Sequence, residues 1–376
     1  MRSAERLPAR LHYARERMNL PLREVQKAIG IGQSSLSEFE NGKREPSLSQ
    51  LQKLAKYYGR SLSFFLEEGP IPREAVLWRE RPADSSEKIE SEFLRLSEQY
   101  RNLEVWCNEV VTPSLPTATG SRETFGFVEA DRLARNVHSQ LHLGDRPGCE
   151  LLRVIEEDCG IKVFHLSFEP SGVAASTKSD RFGMGVLLNS KNVRWRRNFD
   201  LAHELFHLLT WQVFRSAADC SSEVADTREE QLANSFAASL LMPGDAVRTA
   251  VGRRAEDNRL SYESLFDIAR EFDVSVESLM WRLHWVYEKG AARTDETKEA
   301  IEKAKALAPV LEDRERDDTD APELPERYRA LAVKALRRGE MSLGRFADYM
   351  NISRAKAMEY AGQETCEREE VQLTSA

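Results

Sequence analysis

The sequence predicts an α+β fold that is predominantly helical, with one small β-sheet in the middle of the chain. Three observations predict it. Apolar residues recur at three- and four-residue spacing through most of the 376 residues, the signature of helices that bury one face. Only two stretches, "IKVFHLSF" and "GMGVLLNS", are short, apolar and bounded by turn residues in the manner of strands. The composition is 41% hydrophobic and 31% charged, enough for one sizeable core and one or two small domains.

The elements follow in order. Residues 7–66 give five short amphipathic segments with clear breaks. Pro70, Pro72 and Pro82 discourage helix in the next stretch, and a helical stripe of Phe93, Leu96, Tyr100 and Leu103 marks a helix over 88–111. "TPSLPTATG" breaks it. Helices are predicted at 126–142 and 149–158, the latter closed by Gly160 as a C-cap, then the two strands, then helices almost continuously from 199. The expected domains are 1–70, a linker with a helix at 71–119, a body at 120–290, a charged helix and linker at 291–322, and a helical unit at 323–376. No internal repeat or low-complexity tract stands out.

The net charge of −8 is unevenly spread. Residues 1–70 hold 12 Lys/Arg against 8 Asp/Glu, so a mildly basic head precedes an acidic body. That balance suits a nucleic-acid-reading module joined to something else. No apolar run approaches the roughly 20 residues that span a bilayer. Five cysteines lie far apart without a CxxC pair, which favours a reducing, cytoplasmic setting over a disulfide framework or a Cys-ligated metal.

In the head, "LREVQKAI" forms a helix stopped by Gly30, and a tight turn leads to a second helix ended by "NG". Leu22, Val25, Ile29, Ile31, Leu36 and Phe39 share one core at helical spacing. Gln33, Ser34, Ser37 and Glu38 then point outward, where a recognition helix meets base edges. Arg23, Lys43 and Arg44 stand where phosphate contacts fix register. The plainer alternative is a small bundle with a polar surface. The segment "LPLREVQKAIGIGQSSLSEFENGKREPSLSQLQKLAKYYGRSLSFFL" resembles the XRE (Cro/repressor-like) helix-turn-helix family along its length. It carries "S-x-x-E-x-G-x-R-x-P" at the end of the second helix and "L-x-x-L-A-x-x-Y" in the fourth. The resemblance implies binding to a double-stranded DNA operator, commonly as a homodimer.

In the body, "FDLAHELFHLLTW" places His203 and His207 four residues apart, one above the other on a helix. Two imidazoles so placed can share one zinc ion. Glu204 projects beside that point, where it can take a proton from water. The flanking apolar residues would leave unpartnered imidazoles poorly satisfied; two hydrogen-bonded core histidines are the plainer alternative. A third ligand is available in "TREEQLANSFAASLLMP", where Ala233, Ala237 and Ala238 allow close helix packing. Periodicity does not separate Glu229 from Glu230.

Residues 120–285 resemble the ImmA/IrrE family of zinc metallopeptidases, on "VLLN", "RRNFDLAHELFHLL", "E-x-x-A-N-x-F-A-A-x-L-L-M-P" and "FDVSVESLMWRL". The resemblance implies a zincin-like, mostly helical fold with a small sheet. It makes His203, His207 and Glu230 the Zn²⁺ ligands and Glu204 the catalytic base, and puts Asn234 where it can orient a ligand histidine. It also implies endopeptidase action on an XRE-type repressor, or on the chain itself, releasing stress or mobile-element genes. One departure is visible: the family's motif is usually Leu-Gly where this chain has Leu205-Phe206, and the ring either narrows a cleft or fills a helix contact. The alternative readings are an XRE transcription factor whose zinc domain senses a ligand, and an antitoxin-like partner-binding protein. The tail segment "MSLGRFADYMNISRAKAMEY" superficially repeats a helix-turn-helix, and equally suits a dimerisation or docking piece.

Overall fold

The structure, a computed structural model, describes residues 6–18, 20–58, 60–67, 76–82, 86–112, 114–170, 173–215, 226–257, 259–288, 294–311 and 321–362. The expected breaks at Pro70 and Pro72, the charged run 312–320 and residues 363–376 lie outside them. Two compact units emerge. The first comprises residues 1–69, 91–111 and 324–376; the second comprises 70–90 and 112–323.

The chain begins with five helices: α1 (Arg6–Arg17), α2 (Leu22–Ile29), α3 (Gln33–Glu40), α4 (Leu48–Tyr57) and α5 (Leu62–Leu66). Gly30 ends α2 with φ of 70° and donates its N–H to the Gln26 carbonyl, a left-handed cap that glycine adopts without a Cβ penalty. Ser47 opens α4 with a reciprocal capping box to Gln50. Val25, Leu36, Phe39, Leu51, Leu54, Phe64 and Phe65 close one core. Arg15 and Glu40 tie α1 to α3 through two hydrogen bonds of 2.8 and 2.9 Å.

Strand β1 (Val76–Trp78) follows, then α6 (Ser86–Cys107), α7 (Phe127–Gln140), α8 (Leu151–Glu157), β2 (Lys162–Leu166), β3 (Ala174–Ser179) and β4 (Gly183–Asn189). The sheet order is β1-β3-β4-β2; β1/β3 and β3/β4 are antiparallel, β2/β4 parallel. The two expected strands are β2 and β4. The other two were not expected: β1 is three residues long and sits among prolines, and β3 reads "AASTKS", too small and polar to announce itself.

Helices α9 (Arg194–Leu209), α10 (Trp211–Phe214), α11 (Thr227–Leu241), α12 (Gly244–Gly252), α13 (Tyr262–Glu271), α14 (Val276–Leu283) and α15 (Thr294–Leu311) complete the second unit. Helix α9 lies on β3 and β4 and packs on α11, which packs in turn on α7. Ala233 and Ala237 are fully buried where α11 meets its neighbours, as small residues at a close helix contact should be. The final helices, α16 (Glu326–Arg337), α17 (Leu343–Tyr349) and α18 (Arg354–Gly362), belong to the first unit. There α6 serves as a splint. Its Glu98 receives bonds from Arg60 and Ser61 of the head, while Gln99, Asn102 and Glu104 bond to Tyr328, Tyr349 and Arg327.

Candidate metal centre

Eleven consecutive residues of α9, Phe199–Leu209, are buried. His203, Glu204 and His207 are among them, at 0%, 0% and 1% exposure. The helix is apolar on the faces toward the sheet and α11, so it is held as a core element whose polar groups must find partners inside. The alternative placement of Phe206 is resolved: its ring is fully buried against Phe125, Phe214 and Phe236 at centroid distances of 6.0, 6.1 and 5.6 Å. It fills a helix contact.

His203 Nε2 and His207 Nε2 stand 3.2 Å apart, and Glu230 of α11 places Oε2 3.1 Å from the first and Oε1 3.3 Å from the second. The other nitrogen of each ring meets an acceptor: His203 Nδ1 lies 3.1 Å from Asn234 Oδ1, and His207 Nδ1 lies 2.8 Å from Glu229 Oε1. Those partners assign the ring protons to Nδ1. Both Nε2 atoms and a carboxylate therefore converge on one point, an arrangement that suits a cation. Two nitrogens bound at 2.0–2.1 Å around a tetrahedral ion stand about 3.3 Å apart, which the observed spacing matches. The donor set of two imidazoles and one carboxylate suits zinc.

The electrostatics favour positive charge at this point. Burial pushes the His203 pKa down to about 4. At His207 burial also opposes charge, yet hydrogen bonds to Glu229 and Glu230 outweigh it and lift the pKa to about 9. Burial works against ionised Glu230 too, but the two histidines hold it well below the usual carboxylate range. Burial pushes Glu204 up to about 7, opposed by His207 and the Ser176 hydroxyl, and among the described residues no other group bonds its two buried oxygens. A fully buried carboxylate in that state is costly unless it has a bound water or metal-site partner.

Several residues that hold this centre escaped the sequence reading. Arg79, just past β1, reaches Asp200 and Asn234 at 3.4 Å and Glu230 at 3.5 Å. Asp200 is itself 1% exposed and accepts a hydrogen bond from Asn192 at 3.0 Å; burial lifts its pKa to about 6. Its place three residues before His203, in an otherwise apolar run, was the available signal. Arg215 donates to both oxygens of Glu229 at 2.8 and 3.1 Å, so Glu229 supports His207 from behind while Glu230 faces the centre. Beside Asn234 opens a cleft of about 670 Å³ whose lining includes Arg79, Phe127, Trp281 and Trp285. Trp285 is 48% exposed and lies 5.6 Å from the Phe127 ring.

In the head, Gln33, Ser34, Lys43, Arg44 and Arg23 are exposed, while Ser37 and Glu38 are half-buried. Leu36 and Phe39 hold the opposite face of α3 in the core. Ser37 accepts from the Asn41 side chain at 2.7 Å through its carbonyl and at 3.2 Å through Oγ. The guanidinium of Arg44 lies 6.0 Å over the Phe39 ring.

Comparison with known proteins extends both readings. Residues 11–65 match the helix-turn-helix family, and residues 156–284 match the IrrE N-terminal-like domain of peptidase family M78. The HTH-type transcriptional regulator PuuR of Escherichia coli (strain K12) is 40% identical over 65 residues, 17% of this chain and 35% of that protein. The Shigella flexneri protein of the same name gives the same figures. The chain thus spans about a third of the length of these relatives. A crystal structure of Bacillus thuringiensis PlcR with the peptide PapR7 and DNA aligns over 97% of this chain and all of that one, at 14% identity. Its TM-score is 0.17, too low to bear on fold or function. One chain thus joins a segment that matches an XRE-type helix-turn-helix domain to one that matches an IrrE-like peptidase-family domain.

Proposed function

We propose that the chain is a DNA-binding regulator whose body is a zinc endopeptidase, cutting a repressor of the helix-turn-helix type or another copy of itself. The observation that carries the reading is the convergence of His203, His207 and Glu230 on one point beside the fully buried carboxylate of Glu204. The family match of the body and the regulator named among the head's relatives support it. His203, His207 and Glu230 hold the ion, and Asn234 and Glu229 fix the two rings through Nδ1. When bound, zinc supplies Lewis acidity toward a peptide carbonyl and a water molecule. Glu204, buried beside the ligands, takes the proton from the attacking water and returns it to the leaving amine. In the head, Gln33, Ser34, Ser37 and Glu38 meet base edges of a duplex operator, and Arg23, Lys43 and Arg44 meet phosphates.

The test compares the parent with Glu204→Gln, an isosteric change that keeps the ligands. Zinc per chain is measured in both, and each is incubated with itself and with helix-turn-helix repressors. We expect equal zinc and a loss of cleavage of at least about 10²–10⁴-fold, the usual weight of a general base. Zinc retained with cleavage equal in both proteins would remove Glu204 from the chemistry; zinc absent from both would remove the metal centre.

A further inference from the structure

We infer that the last three helices form a second DNA-binding helix-turn-helix, built on the same plan as the head. The two segments superpose in sequence register. Helix α1 spans 12 residues and α16 spans 12; α2 begins at Leu22 and α17 at Leu343; α3 begins at Gln33 and α18 at Arg354. From residue 20 onward one constant offset of 321 positions relates them. Under it three buried positions coincide, Leu20 with Met341, Val25 with Phe346 and Leu36 with Ala357, all below 7% exposed, while buried Phe39 falls on Tyr360 at 39%. The turn coincides as well. Gly30 with φ of 70° falls on Asn351 with φ of 51°, each a left-handed residue followed by isoleucine, then by a small residue that precedes the second helix. Asparagine is the residue best able to stand in for glycine in that conformation.

The sequence hides this repeat because only Leu22/Leu343, Ile31/Ile352 and Glu38/Glu359 are identical between residues 20 and 40 and their counterparts. What is kept is the backbone and part of the burial, not side-chain identity.

The second helix of the repeat presents a usable face. The head positions Gln33, Ser34, Ser37 and Glu38 fall on Arg354, Ala355, Met358 and Glu359, all exposed. Lys356 is exposed beside them, and Met358 is 60% exposed. Charge selects the partner. Residues 324–362 carry 8 Lys/Arg against 4 Asp/Glu, as basic in net terms as the head, in a chain whose total is −8. A basic helix-turn-helix with an exposed second helix fits a DNA duplex rather than an acidic protein surface of its own kind. The splint α6 bonds to both modules, through Glu98 on one and Gln99, Asn102 and Glu104 on the other. One chain therefore carries two reading helices in a single unit. The inference rests on the head's reading only for the comparison of plan; the charge and the exposed face of α18 stand without it.

The test uses the full chain and a fluorescent 40-base-pair duplex of arbitrary sequence, titrated across a range of salt. Three proteins are compared: the parent, Arg354→Ala/Lys356→Ala in α18, and Arg23→Ala/Lys43→Ala in the head. Both α18 positions are exposed, and unchanged melting confirms the fold. Each lost phosphate contact lowers the slope of log affinity on log salt by about 0.9, so the α18 variant should lose between about 1 and 2 in slope and bind about tenfold or more weakly. A parental slope and affinity for the α18 variant, with a reduced slope for the head variant, overturns the inference and leaves the head standing. The reverse result supports α18 and overturns the head. An α18 variant that binds DNA as the parent does but loses self-association by light scattering marks the helix as a protein contact and overturns the inference too.

Discussion

Helices α3 and α9 each carry the residues on which a functional reading depends, and they are built oppositely. In α3 only Leu36 and Phe39 of eight residues are buried; in α9 eleven of sixteen are. The polar side chains at the start of α3, Gln33 and Ser34, are solvated, and Glu40 at its end is tied into the fold by Arg15, so the fold tolerates almost any choice at the first turn. A polar side chain on α9 must be matched inside the protein or by an ion. His203 is therefore locked to Asn234, His207 to Glu229, Glu229 to Arg215, and Asp200 to Asn192. The exposed site can change its ligand without disturbing its scaffold, whereas the buried one has fused its chemistry to its stability.

The strongest test of that contrast removes a proposed ligand. His207→Ala should lower zinc affinity by more than about 100-fold, beyond the roughly 10–100-fold that a supporting partner costs. It should also leave Glu229 and Arg215 paired, so that the fold survives. Competition with a chromogenic chelator gives the affinity. Zinc bound as tightly by the variant as by the parent would show that the three donors do not act together.

Another buried histidine, away from the centre, sharpens the contrast within the body itself. His165 on β2 has no converging donors; it bonds to the Pro322 backbone, and burial first, then Arg197, push its pKa down to about 4. The unfolded chain binds that proton near pH 6.5 and the folded one does not, so stability must fall as pH drops from about 6.5 to about 4. The full shift is worth about 3 kcal/mol. Urea unfolding of parent and His165→Gln at several pH values should show a steeper acid loss in the parent. Parallel curves would mean that His165 is protonated in the folded protein.

Arg79 is next in size. It spans Asp200, Glu230 and Asn234, so it positions one proposed ligand directly and another through Asn234. Arg79→Ala should weaken zinc binding roughly 10–100-fold, and Arg79→Lys should recover part of that, since one charge is restored but not the fork. An alanine variant that binds zinc like the parent but melts lower would assign Arg79 to packing alone.

How much of this was legible follows from the same contrast. The spacing of His203 and His207 was readable because a buried pair on one helix face admits few separations. The choice between Glu229 and Glu230 was not, since both lie on the first turn of α11 and only the three-dimensional arrangement separates the residue behind His207 from the one before it. Arg79 was illegible: it follows a three-residue strand in a proline-bearing stretch, and its partners lie more than a hundred residues away. The strands β1 and β3 failed for a related reason, since an edge of three residues and a run of Ala, Ser and Thr carry too little apolar signal. In the tail, the helix-turn-helix pattern was visible, but its register with the head was not, because φ and part of the burial are conserved there while residue identity is lost.

The smallest expected effect on stability belongs to the exposed helix, and it is the one that most directly opposes the two regions. Gln33 and Ser34 are exposed on the first turn of α3, and neither caps a helix; the residue before them, Gly32, makes no side-chain cap bond. Gln33→Ala and Ser34→Ala should each change folding stability by less than about 0.5 kcal/mol. If Gln33 pairs with a base, its loss should cost about 1–3 kcal/mol of discrimination at a single operator position and leave binding to arbitrary duplex nearly unchanged. Operator selection from a random pool, run on parent and variant, reads that position out. Preference kept at every position would take Gln33 off the bases, and a stability loss well above 0.5 kcal/mol would show that α3, like α9, has its polar residues built into the fold.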